Sequence, residues 1–409
     1  MPELNVRRNT ILLAATLAVN TCLFQLAAAV NSLTFVEVTG VTGLLGLGPA
    51  IFLASSGFAA LPAGRAMDHF GRIPVMVAGF LIAAAGCLLI ALATQIDSTV
   101  AVVLGMALTG AAGGVALLIR TAAGDMYPPE RRGRGISYVL FGSVFGAILG
   151  PALFGPLFSG RELDAESLTV PWLAAAGIAV ASLAIVAFVR PDPKEIAEAI
   201  GGTSPDRPAV PAAPLREILR RPGVVPALAA AVASFAVMVS VMNLTGYVVV
   251  EHHGHTQADV FPIIGAHVLG MYALVLFVGS MIDSIGRSRS LYGGLVLMGL
   301  SCVGLVWFES VLGTSFLLFG VGLGWSISFV AATTQLADMA APSERGRLLG
   351  FSDRLSALTG AALALLGGLA LDGLGVTALA VGATVLVLLP LLRLLRREPP
   401  TATIAPRRT

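Results

Sequence analysis

The chain has 409 residues, of which 56% are hydrophobic and 12% charged, and its mean hydropathy is +0.89. Soluble domains carry about 25% charged residues, so this composition excludes a soluble globule and a disordered chain; a net charge of +2 excludes a nucleic-acid binder. The three cysteines, Cys22, Cys87 and Cys302, lie in apolar runs without CxxC spacing, which excludes a disulfide scaffold, a zinc ribbon and a redox pair.

A helix needs about 20 mostly apolar residues to cross ~30 Å of hydrocarbon. In chain order such runs fall at 10–31, 41–63, 73–94, 99–121, 135–158 and 169–189, then at 223–249, 261–282, 290–308, 312–336, 348–370 and 375–395. The first run has no small-residue cleavage site leading into a soluble domain and reads as a span. The expectation is an all-α membrane protein of twelve transmembrane helices in two six-helix bundles, 1–190 and 223–395. A Pro-rich linker, 191–222, joins them, with a short surface helix expected around Lys194–Ile200, and 396–409 forms a tail. With the termini and the linker on one side, every one of the 25 basic residues except Arg120 and Arg161 falls on that side. Basic residues collect in the cytoplasm, so both termini are expected there.

The halves echo each other. Gly64-Arg-Ala-Met-Asp68-His-Phe-Gly71-Arg72 follows the second run, and Gly279-Ser-Met-Ile-Asp283-Ser-Ile-Gly286-Arg287 follows the eighth. Asp125-Met-Tyr-Pro-Pro129-Glu-Arg-Arg132-Gly-Arg134 is matched by Asp338-Met-Ala-Ala-Pro342-Ser-Glu-Arg345-Gly-Arg347. Two echoes in register indicate a duplicated, pseudo-symmetric unit. On these motifs the whole chain resembles the major facilitator superfamily, whose signature between helices two and three is Gly-x-x-x-Asp-x-x-Gly-Arg. The motif glycines allow a tight turn. Asp68 and Asp283 can bond helix N-termini or pair with nearby arginines, Arg120 or Arg354 among them. Asp68, Gly71, Arg72, Asp283, Gly286 and Arg287 are read as latches of an inner gate; stabilising the turns alone is the other reading of the same residues.

No Asp, Glu, Lys or Arg falls near the middle of a run. Intramembrane charges mark proton relays and charged-substrate sites, so their absence speaks against an organic-anion or phosphate carrier and leaves direction and energy source open. The Gly142-x-x-x-Gly146-x-x-x-Gly150-Pro151 pattern fits close helix packing, and it is also similar to a motif of the antiporter branch. On the seventh run Met238 and Met242 share a helix face, and on the eighth His267 and Met271 do. Thioethers and an imidazole suit Cu(I) better than harder ions, although a Met pair at this spacing is also ordinary core packing. His252, His253 and His255 lie in the connection between these two runs, where they can capture a metal ion or simply form a solvated loop.

The MxxxM and HxxxM pair resembles the motifs of the CcoA-like copper importers within the superfamily. The resemblance implies Met238, Met242, His267 and Met271 as copper ligands. It further implies copper import across the bacterial inner membrane, in support of cytochrome oxidase assembly. Relatives without these motifs are associated with riboflavin. The reading is a monomeric transporter embedded in the lipid bilayer that needs no cofactor, with copper as its cargo and Asn20, Gln25, Asn31 and Asn243 as polar cavity lining. The alternative is a carrier of riboflavin or of hydrophobic organic compounds, with Tyr247, Tyr272 and Trp325 stacking on a planar solute. No nucleophile–base pair or cofactor fingerprint suggests an enzyme.

Overall fold

The computed structural model describes residues 5–40, 47–149, 168–200, 213–249, 253 and 257–394. All regular elements among them are helical. In the first half, α1 (Val6–Thr39), α2 (Leu47–Phe70) and α3 (Arg72–Ile96) are followed by α4 (Thr99–Leu117) and α5 (Ile119–Asp125), which together make the fourth span. A fifth span begins as α6 (Arg132–Leu140) and α7 (142–149), and α8 (Thr169–Val186) is the sixth. Two short helices, α9 (Pro193–Ile200) and α10 (Leu215–Arg220), belong to the linker. The second half holds α11 (Val224–Tyr247), α12 (Gln257–Tyr272) with α13 (Val275–Ile285), α14 (Arg287–Gly304), α15 (Val311–Asp338) and α16 (Pro342–Leu394). Non-helical backbone at Gly375 (φ 77°) divides α16 into the eleventh and twelfth spans. Among the described residues, eight helical stretches are long and apolar enough to cross a membrane by length and composition.

Several helices run past their apolar stretches. The apolar run 41–63 becomes α2 to Phe70, and 348–370 belongs to a helix that begins at Pro342. The added turns are polar in sequence but remain helical because their side chains find partners across the bundle. Gly71 (φ 98°) and Gly286 (φ 104°) separate α2 from α3 and α13 from α14 in a conformation that favours glycine. The leading motif glycines have a different cause. A Cβ on Gly64 would collide with the Gly346 backbone of α16, and one on Gly279 with Ser137 and the Gly133 carbonyl of α6. These two positions let helices from opposite halves touch backbone to backbone. Gly142 and Gly146 do the same between α7 and the Ala14 and Ala18 carbonyls of α1.

The two halves pack in corresponding ways. In the first, α3 lies against α4 and α8; in the second, α14 lies against α15 and α16. They meet where α2 runs along α16 and α6 along α13. The motif turns, α9 and α10 all gather at one end, the linker end. The linker helix lies at the surface with one face docked: Ile196 and Ala197 are buried while Glu195 and Ile200 are exposed, and α9 packs on α3, α5 and α16. Amphipathic spacing in a short helix leaves open whether its apolar face meets protein or membrane, and here it meets protein.

Candidate substrate cavity and gate

At the linker end each motif aspartate caps a helix of the other half. Asp68 accepts from the Gly346 N–H (2.8 Å) and the Arg347 N–H (2.6 Å) near the start of α16. Asp283 accepts from the Gly133 and Arg134 N–H groups (3.1 and 2.9 Å) at the start of α6. A carboxylate at a helix N-terminus satisfies orphan donors and meets the positive end of the dipole.

The arginine ending each motif then ties a network together. Arg72 donates from Nη1 to Asp68 (2.9 Å), from Nε to Asp125 (2.8 Å) and from Nη2 to the Pro342 carbonyl (2.8 Å). Asp125 also accepts from Arg345 across the halves (2.6 Å). Arg287 donates from Nε to Asp338 (3.1 Å) and from Nη2 to the Pro129 carbonyl, and it pairs with Asp283 (3.6 Å). Asp338 in turn accepts from Arg132 of the first half. The aspartates therefore pair with the arginines of their own motifs and not with Arg120 or Arg354. Arg120 is taken by Asp353, and Arg354 sits 5.7 Å from the centre of the Phe58 ring. Four residues on, just across the glycine that separates the two helices, Arg72 and Arg287 are the nearer partners.

Beyond this network a cavity of ≈ 260 Å³ lies between the halves. Met238 and Met242 of α11 and Met271 of α12 line it, opposite Asn20 and Gln25 of α1. His267 is not in the cavity wall. It is fully buried, with Nδ1 2.9 Å from the Leu318 carbonyl of α15. A carbonyl only accepts, so in the neutral ring the proton sits on Nδ1 and Nε2 presents its lone pair. That Nε2 is buried and has no hydrogen-bond partner. Asn31 also lies away from the cavity: it is buried between α1 and α2, beside Gly48. His253 lines an apolar crevice within the second half, beside Cys302, Leu305 and Thr314, and is not brought together with the methionines. His252 and His255, and the side chain of Asn243, fall outside the described residues.

The model of the Major Facilitator Superfamily family matches residues 13–352 and, in a second match, 262–409. The chain belongs to the Major Facilitator Superfamily. It is 29% identical to the uncharacterized MFS-type transporter YdeG of Bacillus subtilis over 88% of this chain and 85% of that protein. It is 28% identical to the riboflavin transporter RfnT of Brucella anthropi over 85% of each. The crystal structure of the superfamily transporter FucP in the outward conformation superposes with a TM-score of 0.73 at 13% identity, covering 95% of this chain and 99% of that one. The twelve-helix fold and membership of a family of secondary transporters are thereby shown.

Two parts of this superfamily member's cavity are only partly legible, or not legible, in the sequence. One is an aromatic wall in which the expected Trp325 and Tyr272 are joined by Phe329 and Phe235, which were not expected: Trp325 stacks on Phe329 at 4.8 Å, and Tyr272 and Phe235 flank them at 6.0 Å. These residues come from three helices, so no local spacing announces them. The other is Arg120, which lines the cavity with its guanidinium 4.5 Å from the centre of the Phe329 ring. Its partner Asp353 stands one turn inside the run 348–370, and only the depth of α16 shows it to be buried. Position within the apolar run was the available signal.

Proposed function

We propose that the protein is a copper transporter carrying Cu(I) through the central cavity by alternating access. The observation that supports this reading is a set of three soft, neutral thioether donors around one space, with a buried imidazole behind the wall they form. Three thioethers line the cavity, and the lone pair of His267 stands unpartnered one helical turn from Met271. A ring held at Nδ1 by a backbone carbonyl is oriented to offer Nε2 to a metal, and thioether with imidazole suits a monovalent soft ion. Among the described residues no three His, Cys, Asp or Glu side chains cluster as a site for a harder ion. The basic bias of the linker end supports a cytoplasmic location for it in the bacterial inner membrane. Entry is then from the far side, where the histidine-bearing connection lies, and the motif aspartates act as the inner gate. Radioactive copper uptake in cells tests the reading. Met238→Ala and His267→Ala are expected to lower uptake at limiting copper roughly tenfold or more; uptake at the wild-type level in both ends the metal assignment.

A second reading is favoured by the aromatic wall and by the likeness to RfnT. A planar organic solute would stack on Trp325 and Phe329 beside Arg120. Riboflavin uptake in the same cells separates the two, since Trp325→Ala then removes riboflavin transport and leaves copper uptake intact.

A further inference from the structure

Opening the linker end requires every contact between the halves there to part, and the acidic groups differ in what they keep. Asp68 loses the N–H groups of α16 but keeps Arg72, and Asp283 loses those of α6 but keeps Arg287. Asp125 loses Arg345 and keeps Arg72, while Asp338 loses Arg132 and keeps Arg287. Asp353 keeps nothing. Its one cationic partner, Arg120, comes from the other half, and its Oδ2 is buried without a hydrogen bond. The pair is nearly dry, with Arg120 3% and Asp353 2% exposed. Separation as ions would leave an uncompensated carboxylate on α16, the costly way to break a buried pair. Arg120 is better provided for, since Nη1 donates to the Leu117 carbonyl of its own half.

We propose that Asp353 is a proton-binding site whose protonation frees Arg120 and licenses opening of the gate. The proton enters from water in the cavity, which Arg120 lines, and binds the unpartnered Oδ2. The bond from Arg120 to Oδ1 breaks as the halves part. The proton then leaves to water at the linker end, and the ion pair re-forms on closing. Among the described residues no other charge competes for this role. On α16 itself Glu344 is paired with Arg221, Arg345 is engaged with Asp125, Arg347 donates to the Ala213 carbonyl, and Arg354 faces Phe58. On α2, Asp68 is held by Arg72, and Arg65 and His69 lie toward its linker end; on α15, Asp338 is held by Arg132 and Arg287. On α9 Lys194 is bound at the carbonyls of Asp68 and His69, with Glu195 and Glu198 beyond it, and on α10 Arg216, Glu217 and Arg220 lie in the linker. The Arg287 and Arg289 positions of α14 are likewise at the linker end, and α4 and α11 carry no ionisable charge. Among the described residues Arg120 is the only cation within ion-pair distance of Asp353.

The test needs no cargo, so its outcome is independent of the copper reading. Spin labels at His69→Cys and Ser284→Cys, on the motif turns of opposite halves, report the gate distance in full-length protein in nanodiscs. The ratio of open to closed gate is expected to rise with acidity, by up to tenfold per pH unit for one linked proton. Asp353→Asn should hold the open distance and lose the pH dependence. Asp353→Glu, which preserves the charge, should keep the dependence with a moved midpoint, and it supplies the reading if the Asn variant does not fold. A wild-type distance indifferent to pH, an Asn variant that titrates like wild type, or a Glu variant with an unmoved midpoint overturns the proposal.

Discussion

The two motif networks are built from the same residue types on the same plan, yet one is dry and the other wet. Arg72 and Asp125 have no exposed side-chain surface, whereas Arg287 and Asp338 are 19% and 26% exposed. The difference traces to the linker. Asp192 caps α3 at the Arg72 and Ile73 N–H groups (3.0 and 2.9 Å), and Lys194 donates to the Asp68 carbonyl (2.7 Å). With Ile196 docked behind them, these residues roof the first network. Among the described residues no corresponding segment covers the second. Duplication supplied two equivalent latches, and the connection between the halves made them unequal in how strongly each charge depends on its partner.

The largest effect expected from that inequality is at Arg72. Arg72→Gln leaves Asp68 and Asp125 buried with their common cation gone, and a loss of about 3–5 kcal/mol is expected, read as a fall in the thermal midpoint of the purified protein. Arg287→Gln should cost about 0.5–1 kcal/mol in the same measurement, because water replaces part of what is lost. Added salt should shrink the second difference far more than the first. Equal losses at the two arginines would remove the contrast. A smaller effect sharpens it from the linker side. Burial raises the affinity of Glu344 for a proton, but the paired bonds from Arg221 with those from the Ala341 and Ala213 N–H groups outweigh it and hold the carboxyl below its ordinary 4.5. Its contribution is therefore complete above pH 4.5 and lost as pH falls through the lower, folded value. Protection of the Ala213 amide, measured against its intrinsic exchange rate at each pH, should be high at neutral pH and fall in that acid range; Glu344→Gln should lower it throughout.

The sequence made the spans legible because hydropathy reports burial in lipid directly, and the paired motifs exposed the duplication. The capping by Asp68 and Asp283 was within reach for a local reason, since an aspartate in a turn between helices has N–H groups to meet. Their arginine partners were less so: Arg120 and Arg354 are close in depth, and only the i, i+4 geometry of α2–α3 and α13–α14 favours Arg72 and Arg287. The Arg120–Asp353 pair joins residues 233 positions apart, and no periodicity within either helix encodes it. His267 shows the limit from the other side. Spacing puts it on the Met271 face of α12, but the groove between α12 and α15, closed around Gly322, decides that its ring meets Leu318.

The capping of Asp68 carries a consequence for biogenesis. Its N–H donors at Gly346 lie 278 positions downstream, in the penultimate span to be synthesised. A nascent first bundle leaving the ribosome holds that carboxylate with only Arg72 for company, while the roofing residues Asp192 and Lys194 are still to come. The early half must therefore wait in the membrane with an unfinished polar seam, and the last two spans, on arrival, close it.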